Sequence, residues 1–396
     1  MKVIFISKKS FIYGIIIICL LIMGIVFYNP CRQINTNGYK LRENFPPLVF
    51  LPGYLKGPPV SASAGVLIEA KSGSVLYAKN PEFRRAPAST TKMMTAIVAL
   101  EKGDLRKTIK VSRRAAGTPG SSLWLHAGDT LSLKELLEGM MLQSGNDGSM
   151  AVAEGIAGSV EDFVSLMNLK AKEIGALNTN FRNPHGLRAP SHYTTALDLA
   201  LIARYGLSNP KFATLVKRKS ATIRWEGKLK SLEITNTNRL LWYLEGADGV
   251  KTGTTNEAGK CLVASATRNG RQLIAVVLNS GNRWGDCTRL LEYGFNEFVS
   301  IKVADDSKKV CQIPVRNGAV PWINLYPRTD LITVVKKGDQ YLIKPQLILF
   351  KKEAIAPVKP GEIWGKIGYR FSGQIIEGVD LINHQPVVKK RKWWFW

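Results

Sequence analysis

A serine and a lysine three residues apart constrain this chain more than any other feature. Ser89 and Lys92 stand directly before the apolar run Met93–Leu100, a pattern typical of a turn that enters a helix. Residues three apart on a helix share one face, so the lysine amine can reach the serine hydroxyl. A serine hydroxyl needs a base within hydrogen-bonding reach, and a lysine can be that base when burial or a neighbouring cation lowers its pKa.

Two further motifs give this pair its context. Ser144-Gly145-Asn146 falls in a loop between two predicted helices, and Lys251-Thr252-Gly253-Thr254 opens a predicted strand after a turn. S-x-x-K, a serine–asparagine motif and K-T-G, in this order, form the set found in penicillin-binding proteins and class A β-lactamases. The order of the three motifs therefore predicts one cleft with three walls.

Each motif also has a second match in the chain. Ser208–Lys211 repeats the first spacing with Pro210 inside it, which argues against the same geometry. Lys71-Ser72-Gly73 imitates the third motif but precedes the nucleophile, and Ser280-Gly281-Asn282 imitates the second but follows the K-T-G strand. Only the set at 89–92, 144–146 and 251–254 has the required order.

The chain resembles the low-molecular-weight penicillin-binding proteins that act as serine-type D-alanyl-D-alanine carboxypeptidases. Beyond the motifs, the resemblance rests on Asn183–Leu187, His192–Ala196, Glu257–Cys261 and Ala356–Val358, and it covers roughly residues 60–385. It implies an α+β fold: a β-lactamase/transpeptidase-like domain, with an antiparallel sheet flanked by helices plus a helical subdomain, followed by a small all-β domain. It implies an enzyme that removes the C-terminal D-alanine from peptidoglycan pentapeptides and is inhibited covalently by β-lactam antibiotics.

The residues of the first two motifs suit the acyl-transfer steps of this chemistry. Ser89 is the expected acyl-ester nucleophile, and Lys92 in its neutral form is the expected general base. Ser144 can relay a proton to the leaving amine, and Asn146 can orient Lys92 and the substrate amide. The resemblance implies an oxyanion hole made by the backbone N–H groups of Ser89 and Thr254.

The third motif is expected to bind the substrate carboxylate. Lys251 supplies a positive charge that attracts the carboxylate and favours the neutral form of Lys92 by like-charge repulsion. The hydroxyls of Thr252 and Thr254 are placed to bind the same group, and Gly253 lets the backbone come close without a Cβ. The mechanism needs neither a metal nor a cofactor.

The composition limits the classes of binding partner that we expect. The chain has 396 residues, 45% of them apolar, and a net charge of +25, which favours a polyanionic neighbour such as anionic lipid or an acidic wall polymer. It carries no zinc finger, nucleotide-binding loop or RNA-binding signature, so nucleic acid is not an expected partner. The five cysteines form no C-x-x-C, and the four histidines lack metal-ligand spacing.

Both termini point to a membrane. Lys2, Lys8 and Lys9 precede the apolar run Phe11–Tyr28, which is long enough to span a bilayer core and places later residues outside the cytoplasm. We expect an uncleaved anchor, with a cleaved signal as the alternative, because no A-x-A-like site follows the run. The last residues, 389–396, are four cations and four aromatics, which suit an anionic membrane interface. The expected location is the bacterial cell membrane, with the catalytic domain on the extracytoplasmic side.

The pattern divides the chain into six segments. These are a cytoplasmic basic segment 1–9, an anchor or signal 10–28, a proline- and glycine-rich linker 29–60, a serine D,D-peptidase domain 61–300, an all-β domain 301–388 and a basic–aromatic tail 389–396. Within them we predict a hairpin of Ala64–Ala70 with Val75–Ala78, a capping box at Ser132 and Glu135, and a closing helix over Arg283–Phe298.

Several other interpretations remain open. A D,D-endopeptidase or a β-lactamase would share the site, and a catalytically idle wall- or membrane-binding scaffold would suit the charge. His185 and His192 could suggest a Ser-His-Asp triad, but no G-x-S-x-G accompanies them, so we expect them to order the loop near the site. We expect Cys261 to be a small core residue, and we expect Trp124 to be a core residue rather than a platform for substrate.

Overall fold

The computed structural model describes residues 47–51, 53–227, 229 and 231–391. The predicted basic segment, the apolar run, residues 29–46 of the linker and residues 392–396 of the tail lie outside the described residues, so what we expect of them remains a prediction. Within the described ranges, no helix is both long enough and apolar enough to cross a membrane.

The strands form one large sheet in the catalytic part and smaller sheets elsewhere. In chain order they are β1 (Val49–Phe50), β2 (Ala64–Glu69), β3 (Ser74–Lys79), β4 (Thr108–Lys110), β5 (Thr130–Ser132), β6 (Ser220–Arg224), β7 (Ser231–Thr235), β8 (Ala247–Thr255), β9 (Gly259–Arg268), β10 (Arg271–Leu278), β11 (Phe298–Ala304), β12 (Cys311–Arg316), β13 (Trp322–Pro327), β14 (Leu331–Lys336), β15 (Lys344–Leu349), β16 (Ala354–Ile355), β17 (Ile363–Phe371) and β18 (Gln374–Ile382).

The α-helices lie mostly between β3 and β8. They are α1 (Lys92–Lys102), α2 (Arg113–Ala116), α3 (Leu133–Glu138), α4 (Asn146–Ala157), α5 (Val160–Ile174), α6 (Ala196–Leu207), α7 (Pro210–Lys217), α8 (Leu240–Tyr243) and α9 (Arg283–Glu297). Short 3₁₀ turns cover Ala88–Thr91 and Gln340–Leu342, and a π-helical turn covers Gly139–Gln143. The start of α3 has the predicted capping box, with both reciprocal bonds between Ser132 and Glu135.

The large sheet has the strand order β1-β3-β2-β10-β9-β8, which puts β8 at one edge. Its pairs are antiparallel, except that β1 runs parallel to β3. The dipeptide Asn269-Gly270, typical of a two-residue hairpin turn, joins β9 to β10 with both residues at positive φ, 50° and 74°. The predicted hairpin of β2 and β3 and the closing helix α9 are also confirmed.

Both faces of this sheet are covered by apolar side chains. Successive residues of a strand point to opposite faces, and here each set finds its own core. Val66 and Val276 pack with the helices around α1 and α5. Leu67 and Val277 pack with α9 and with the β-strands that follow it. The edge strand β8 is therefore held by packing on both sides, while its outer edge faces the cleft.

The chain after α9 is built from strands, as predicted. A six-stranded sheet has the order β15-β17-β18-β13-β12-β16, and β11 pairs with β14. Two details differ from the sequence prediction. The sequence pattern predicts a strand over Tyr341–Pro345, but residues 340–342 form a 3₁₀ turn and the strand β15 begins at Lys344. The sequence pattern does not predict β13, because Pro321 precedes this strand and Pro327 is its last residue.

Part of the stretch assigned to a linker belongs to the fold. Val49–Phe50 adds a strand to the sheet, and Leu51, Tyr54 and Val60 are buried. The Tyr54 hydroxyl donates to Asp339 at 2.7 Å, and its ring contacts Phe371 with centroids 5.2 Å apart. Proline and glycine content suggested a linker, but the apolar residues between them pack against the all-β part.

Candidate active site

The candidate nucleophile lies where a 3₁₀ turn runs into a helix. Ser89 is the second residue of the turn Ala88–Thr91, and α1 begins at Lys92. Ala88 has a φ of 49°, a left-handed conformation that costs a residue with a Cβ about 1 to 3 kcal/mol. Gly186 packs directly against this turn, since a Cβ there would lie 1.9 Å from the Ala88 carbonyl oxygen. The surrounding structure thus fixes the backbone that carries Ser89.

Lys92 is fully buried against three oxygen atoms. Its Nζ lies 3.1 Å from Ser89 Oγ, 2.7 Å from Asn146 Oδ1 and 2.8 Å from the carbonyl oxygen of His185. A neutral amine has two N–H donors and one lone pair. The amide and carbonyl oxygens only accept, whereas a hydroxyl can donate. The three partners therefore match a neutral Lys92 that accepts the proton of Ser89.

Burial is the main reason why Lys92 favours the neutral form. It holds the pKa of Lys92 well below its ordinary value, and the positive charge of Lys251 lowers the pKa further. The carboxylate of Asp147 acts in the opposite direction. Like-charge repulsion from Lys251, the cause named from the sequence, is thus present but second to desolvation.

A break in helical register positions Ser144 and Asn146. The π-helical turn Gly139–Gln143 follows α3, and Ser144 then adopts a left-handed conformation with φ 68° and ψ 28°. α4 begins at Asn146, whose Nδ2 donates to the carbonyl of Pro119 at 2.7 Å and leaves Oδ1 for Lys92. Ser144 is 7% exposed, and within the described residues its hydroxyl bonds to neither Lys92 nor Lys251.

Lys251 lies on β8 with its ammonium group buried and unpaired. Its side chain is 1% exposed, and its Nζ has no hydrogen-bond partner among the described residues. Burial, followed by the positive charge of Arg283, lowers the pKa of Lys251 to about 7. A buried cation without a partner is costly, so this group is poised to bind an anion.

The rest of the third motif lines the same side of the cleft. A Cβ on Gly253 would lie 3.1 Å from the backbone nitrogen of Ser89, so the glycine permits the close approach of β8 to the nucleophile turn. Thr252 Oγ1 lies 2.8 Å from Thr237 Oγ1. Thr254 Oγ1 accepts a hydrogen bond of 2.7 Å from Arg283. The hydroxyl of Thr254 and the two cations thus surround one anion-binding corner.

Three residues of the cleft were not predicted from the sequence. Asp147, fully buried, accepts hydrogen bonds from the backbone of Leu123 and Leu125 and so holds the loop beside Asn146. Arg283, the first residue of α9, bonds to Thr254 and to the carbonyl of Gly253. Thr237 contacts Thr252. An acid directly after the asparagine of the second motif was the one available sequence signal.

The two histidines order the loop, as expected. The Nδ1 atom of His185 accepts from the backbone nitrogen of Leu187 at 3.1 Å, and burial lowers the pKa of His185 to about 3. His192 lies 3.0 Å from the Thr91 hydroxyl, and burial lowers its pKa to about 4. Both rings are therefore neutral near pH 7, and neither is hydrogen-bonded to Ser89.

The prediction that Trp124 is a core residue is wrong. Its side chain is 74% exposed, and its φ is 59°. The neighbouring Leu123 and Leu125 are buried and bound to Asp147, so the residue between them points outward. Cys261, in contrast, is fully buried, as predicted.

The described ranges contain one group of acidic side chains that could hold a metal ion. It consists of Asp305, Asp306 and Asp330 and lies in the all-β part. Lys302 already pairs with two of the three carboxylates, at 3.7 Å and 2.9 Å.

The fold and the lysine–serine cluster define a serine acyl-transfer enzyme with the penicillin-binding motif set. A family model described as D-alanyl-D-alanine carboxypeptidase matches residues 54–282, and a model of the C-terminal domain of penicillin-binding protein 5 matches residues 298–389. The chain belongs to the D-alanyl-D-alanine carboxypeptidase family.

Individual relatives agree with this assignment. The D-alanyl-D-alanine carboxypeptidase DacF of Bacillus subtilis is 36% identical over 80% of this chain and 83% of its own length. The carboxypeptidase DacC of Escherichia coli is 35% identical over 84% of this chain and 86% of its own. The solved structure of penicillin-binding protein 5 from Haemophilus influenzae matches with a TM-score of 0.76 and 32% identity, covering 84% of this chain and 99% of that one.

These relatives confirm the predicted family, the α+β fold and the enzyme class, a serine-type carboxypeptidase that takes part in peptidoglycan processing. They do not favour the endopeptidase, β-lactamase or scaffold alternatives.

Proposed function

We propose that this protein removes the C-terminal D-alanine from peptidoglycan stem peptides through an acyl-enzyme on Ser89. One observation carries the proposal: a buried lysine amine with a lowered pKa lies 3.1 Å from the Ser89 hydroxyl. A nucleophile in contact with a base that is itself oriented by other groups is the arrangement that acyl transfer requires. Asn146 and the carbonyl of His185 orient the amine.

Acylation begins when the substrate carboxylate meets the buried charge of Lys251. Thr252 and Thr254 add hydroxyl donors to the same group, and the cation of Arg283 lies behind Thr254. Lys92 takes the proton of Ser89 as Oγ attacks the carbonyl carbon of the penultimate D-alanine. The backbone N–H groups of Ser89 and Thr254 receive the negative charge of the tetrahedral intermediate. Such donors are typically worth about 100- to 1000-fold in rate each.

Collapse of the intermediate breaks the peptide bond and releases D-alanine. The leaving nitrogen receives a proton that passes from Lys92 through the Ser144 hydroxyl, which turns toward the amine once substrate fills the cleft. Asn146 binds the amide of the acyl group. Water then attacks the ester, Lys92 accepts its proton, and Ser89 is restored with the shortened peptide released.

A peptide assay tests this function. Purified protein incubated with a peptide ending in D-Ala–D-Ala should release free D-alanine, and the variant Ser89→Ala should release none. Equal release from both proteins would refute Ser89 as the nucleophile. A penicillin challenge separates the reaction class: a long-lived covalent adduct supports the carboxypeptidase, whereas rapid turnover of the drug supports a β-lactamase.

We further propose that the protein is held on the extracytoplasmic side of a bacterial membrane. The basic residues before the apolar run Phe11–Tyr28 and the basic–aromatic end of the chain support this location. The peptidase domain at 61–300 and the all-β domain at 301–388 would then stand outside the membrane. Mass spectrometry of the mature N-terminus tests the anchor, since loss of residues before position 30 would indicate a cleaved signal instead.

The tail can be tested separately. Protein lacking residues 389–396 should bind more weakly to vesicles that contain anionic lipid than the full chain does, and it should retain peptidase activity. Equal binding of the two forms would remove the tail from the proposed membrane contact.

A further inference from the structure

We propose that Arg188 and Glu257 form a charged rim that selects stem peptides whose third residue ends in both an ammonium and a carboxylate group. The inference rests on the proposed function, because it assigns the upstream residues of the same substrate. Arg188 Nε lies 3.4 Å from a carboxylate oxygen of Glu257. The two side chains are 83% and 51% exposed, so both charges face solvent.

The rim stands at the end of the cleft that receives the upstream part of a substrate. β8 is an edge strand of the central sheet, so its free side can pair with an extended peptide. A substrate positioned for attack by Ser89 has its terminal carboxylate at Lys251. The residues that precede the acylated D-alanine therefore extend past Thr254 toward Thr255 and the turn that contains Glu257.

The opposite wall reaches the same point. The carbonyl of His185 binds Lys92, and Gly186 packs against Ala88, so this segment starts beneath the nucleophile. The side chain of Leu187 then approaches Gly120 on the far side of the cleft. A Cβ built on Gly120 would lie 3.8 Å from Leu187 Cδ2. Arg188 follows directly, and its contact with Glu257 joins the two walls across a small hollow lined by Pro87, Leu187, His192 and Thr255.

The distances suit the third residue of a stem peptide. Glu257 follows Thr254 by three residues, a separation of at most about 10 Å along the chain. The Cα atom of the residue before the acylated D-alanine lies about 3.8 Å upstream of the Cα atom of that D-alanine. A side chain of four or five atoms covers much of the distance that remains to Glu257. The end of that side chain thus reaches the charged rim, while its backbone stays beside β8.

The chemistry of the rim matches a zwitterion. Arg188 can bind a carboxylate through two N–H donors, and Glu257 can accept from an ammonium group. A diaminopimelate side chain carries both groups on one carbon and can insert between them. A lysine side chain offers only the ammonium and leaves Arg188 unused. Because an exposed ion pair contributes little to stability, opening it for a substrate costs little.

The test compares two peptides that differ only in the third residue, meso-diaminopimelate or L-lysine, each followed by D-Ala–D-Ala. We expect kcat/KM to be about threefold to tenfold higher for the diaminopimelate peptide, mainly through a lower KM, as an exposed charge pair allows. Arg188→Gln should reduce this ratio to about one, chiefly by raising KM for the diaminopimelate peptide. Glu257→Gln should lower kcat/KM for both peptides, because both carry the ammonium.

A matched control comes from the all-β part. Arg316 and Glu353 form an exposed ion pair at 2.9 Å, so Arg316→Gln removes a similar pair and should leave the ratio unchanged. Equal use of the two peptides by the wild-type protein, or an unchanged ratio in Arg188→Gln, would overturn the inference. Those results are distinct from failure of the proposed function, in which neither peptide releases D-alanine and penicillin does not label Ser89.

Discussion

The Nζ atom of Lys92 lies 3.1 Å from the Oγ atom of Ser89, although the two residues belong to different kinds of helix. Ser89 lies in a 3₁₀ turn, and Lys92 is the first residue of α1. Lys92 is also fully buried, and its other two contacts are oxygen atoms that only accept hydrogen bonds. Because burial lowers the pKa of Lys92, this contact joins a hydroxyl to a base rather than to a fixed cation.

Replacing Lys92 by arginine should abolish acylation. Arginine keeps a positive charge but cannot lose its proton in a protein, so it cannot act as a base. We expect Lys92→Arg to lower the penicillin acylation rate by about 100- to 10000-fold, the usual contribution of a general base. Stopped-flow or gel-based labelling measures the rate, and circular dichroism checks that the variant is folded. A folded variant with a rate within a few-fold of wild type would exclude Lys92 as the base.

Removing the charge of Lys251 should move the pH dependence of acylation. The positive charge lowers the pKa of Lys92, so Lys251→Ala should raise that pKa and reduce the neutral fraction at a given pH. The acid limb of the pH–rate profile then shifts to higher pH. Lys251→Arg keeps the charge and should leave the limb in place, although it will alter carboxylate binding. An unshifted limb in Lys251→Ala would restrict Lys251 to anchoring the carboxylate.

Asp147 should have the opposite effect on the same limb. Its carboxylate raises the pKa of Lys92, so Asp147→Asn should shift the acid limb to lower pH. The variant should also lose about 2 to 4 kcal/mol of unfolding free energy, because the buried carboxylate accepts several hydrogen bonds. Asp286→Asn is the matched control, a buried carboxylate bound to Ser61 and Ser280. It should lower stability without moving the limb, and a limb that shifts equally in both variants would contradict the account.

Two neighbouring residues of the loop held by Asp147 should differ sharply in their contribution to stability. Leu123 is fully buried against Gly139 and Gly145, so Leu123→Ala should cost about 2 to 5 kcal/mol. Trp124 is 74% exposed, so Trp124→Ala should change the unfolding free energy by no more than about 0.5 kcal/mol. Urea denaturation measures both. A larger loss at Trp124 than at Leu123 would mean that the loop packs differently in solution.

Sequence order was sufficient to predict the three walls of the cleft, because each motif has its own local signature. Ser89 and Lys92 precede an apolar helix, Ser144 and Asn146 lie between two helices, and Lys251 opens a strand. The close approach of Gly253 to the nucleophile turn was also predictable, because a glycine has no Cβ to prevent it.

The contributions of Asp147, Arg283 and the His185 carbonyl were not predictable, since each depends on a tertiary contact between distant segments. Arg283 reaches Thr254 from the start of α9, 29 residues further along the chain. Lys92 is hydrogen-bonded to the backbone carbonyl of His185. A backbone contact does not depend on residue type, so the sequence does not reveal it. Trp124 was misjudged for a similar reason: aromatic side chains are usually buried, but the hydrogen bonds to Asp147 turn this one outward.

The most direct test of the account is the mass of the protein after exposure to penicillin, with the labelled peptide located by proteolysis. We predict a single adduct on Ser89, no adduct in Ser89→Ala, and normal labelling in Ser208→Ala, which removes the serine of the other S-x-x-K match. Ser208 is exposed at the end of α6, and Lys211 lies in the following helix. An adduct on any residue other than Ser89, or its persistence in Ser89→Ala, would contradict the proposed mechanism.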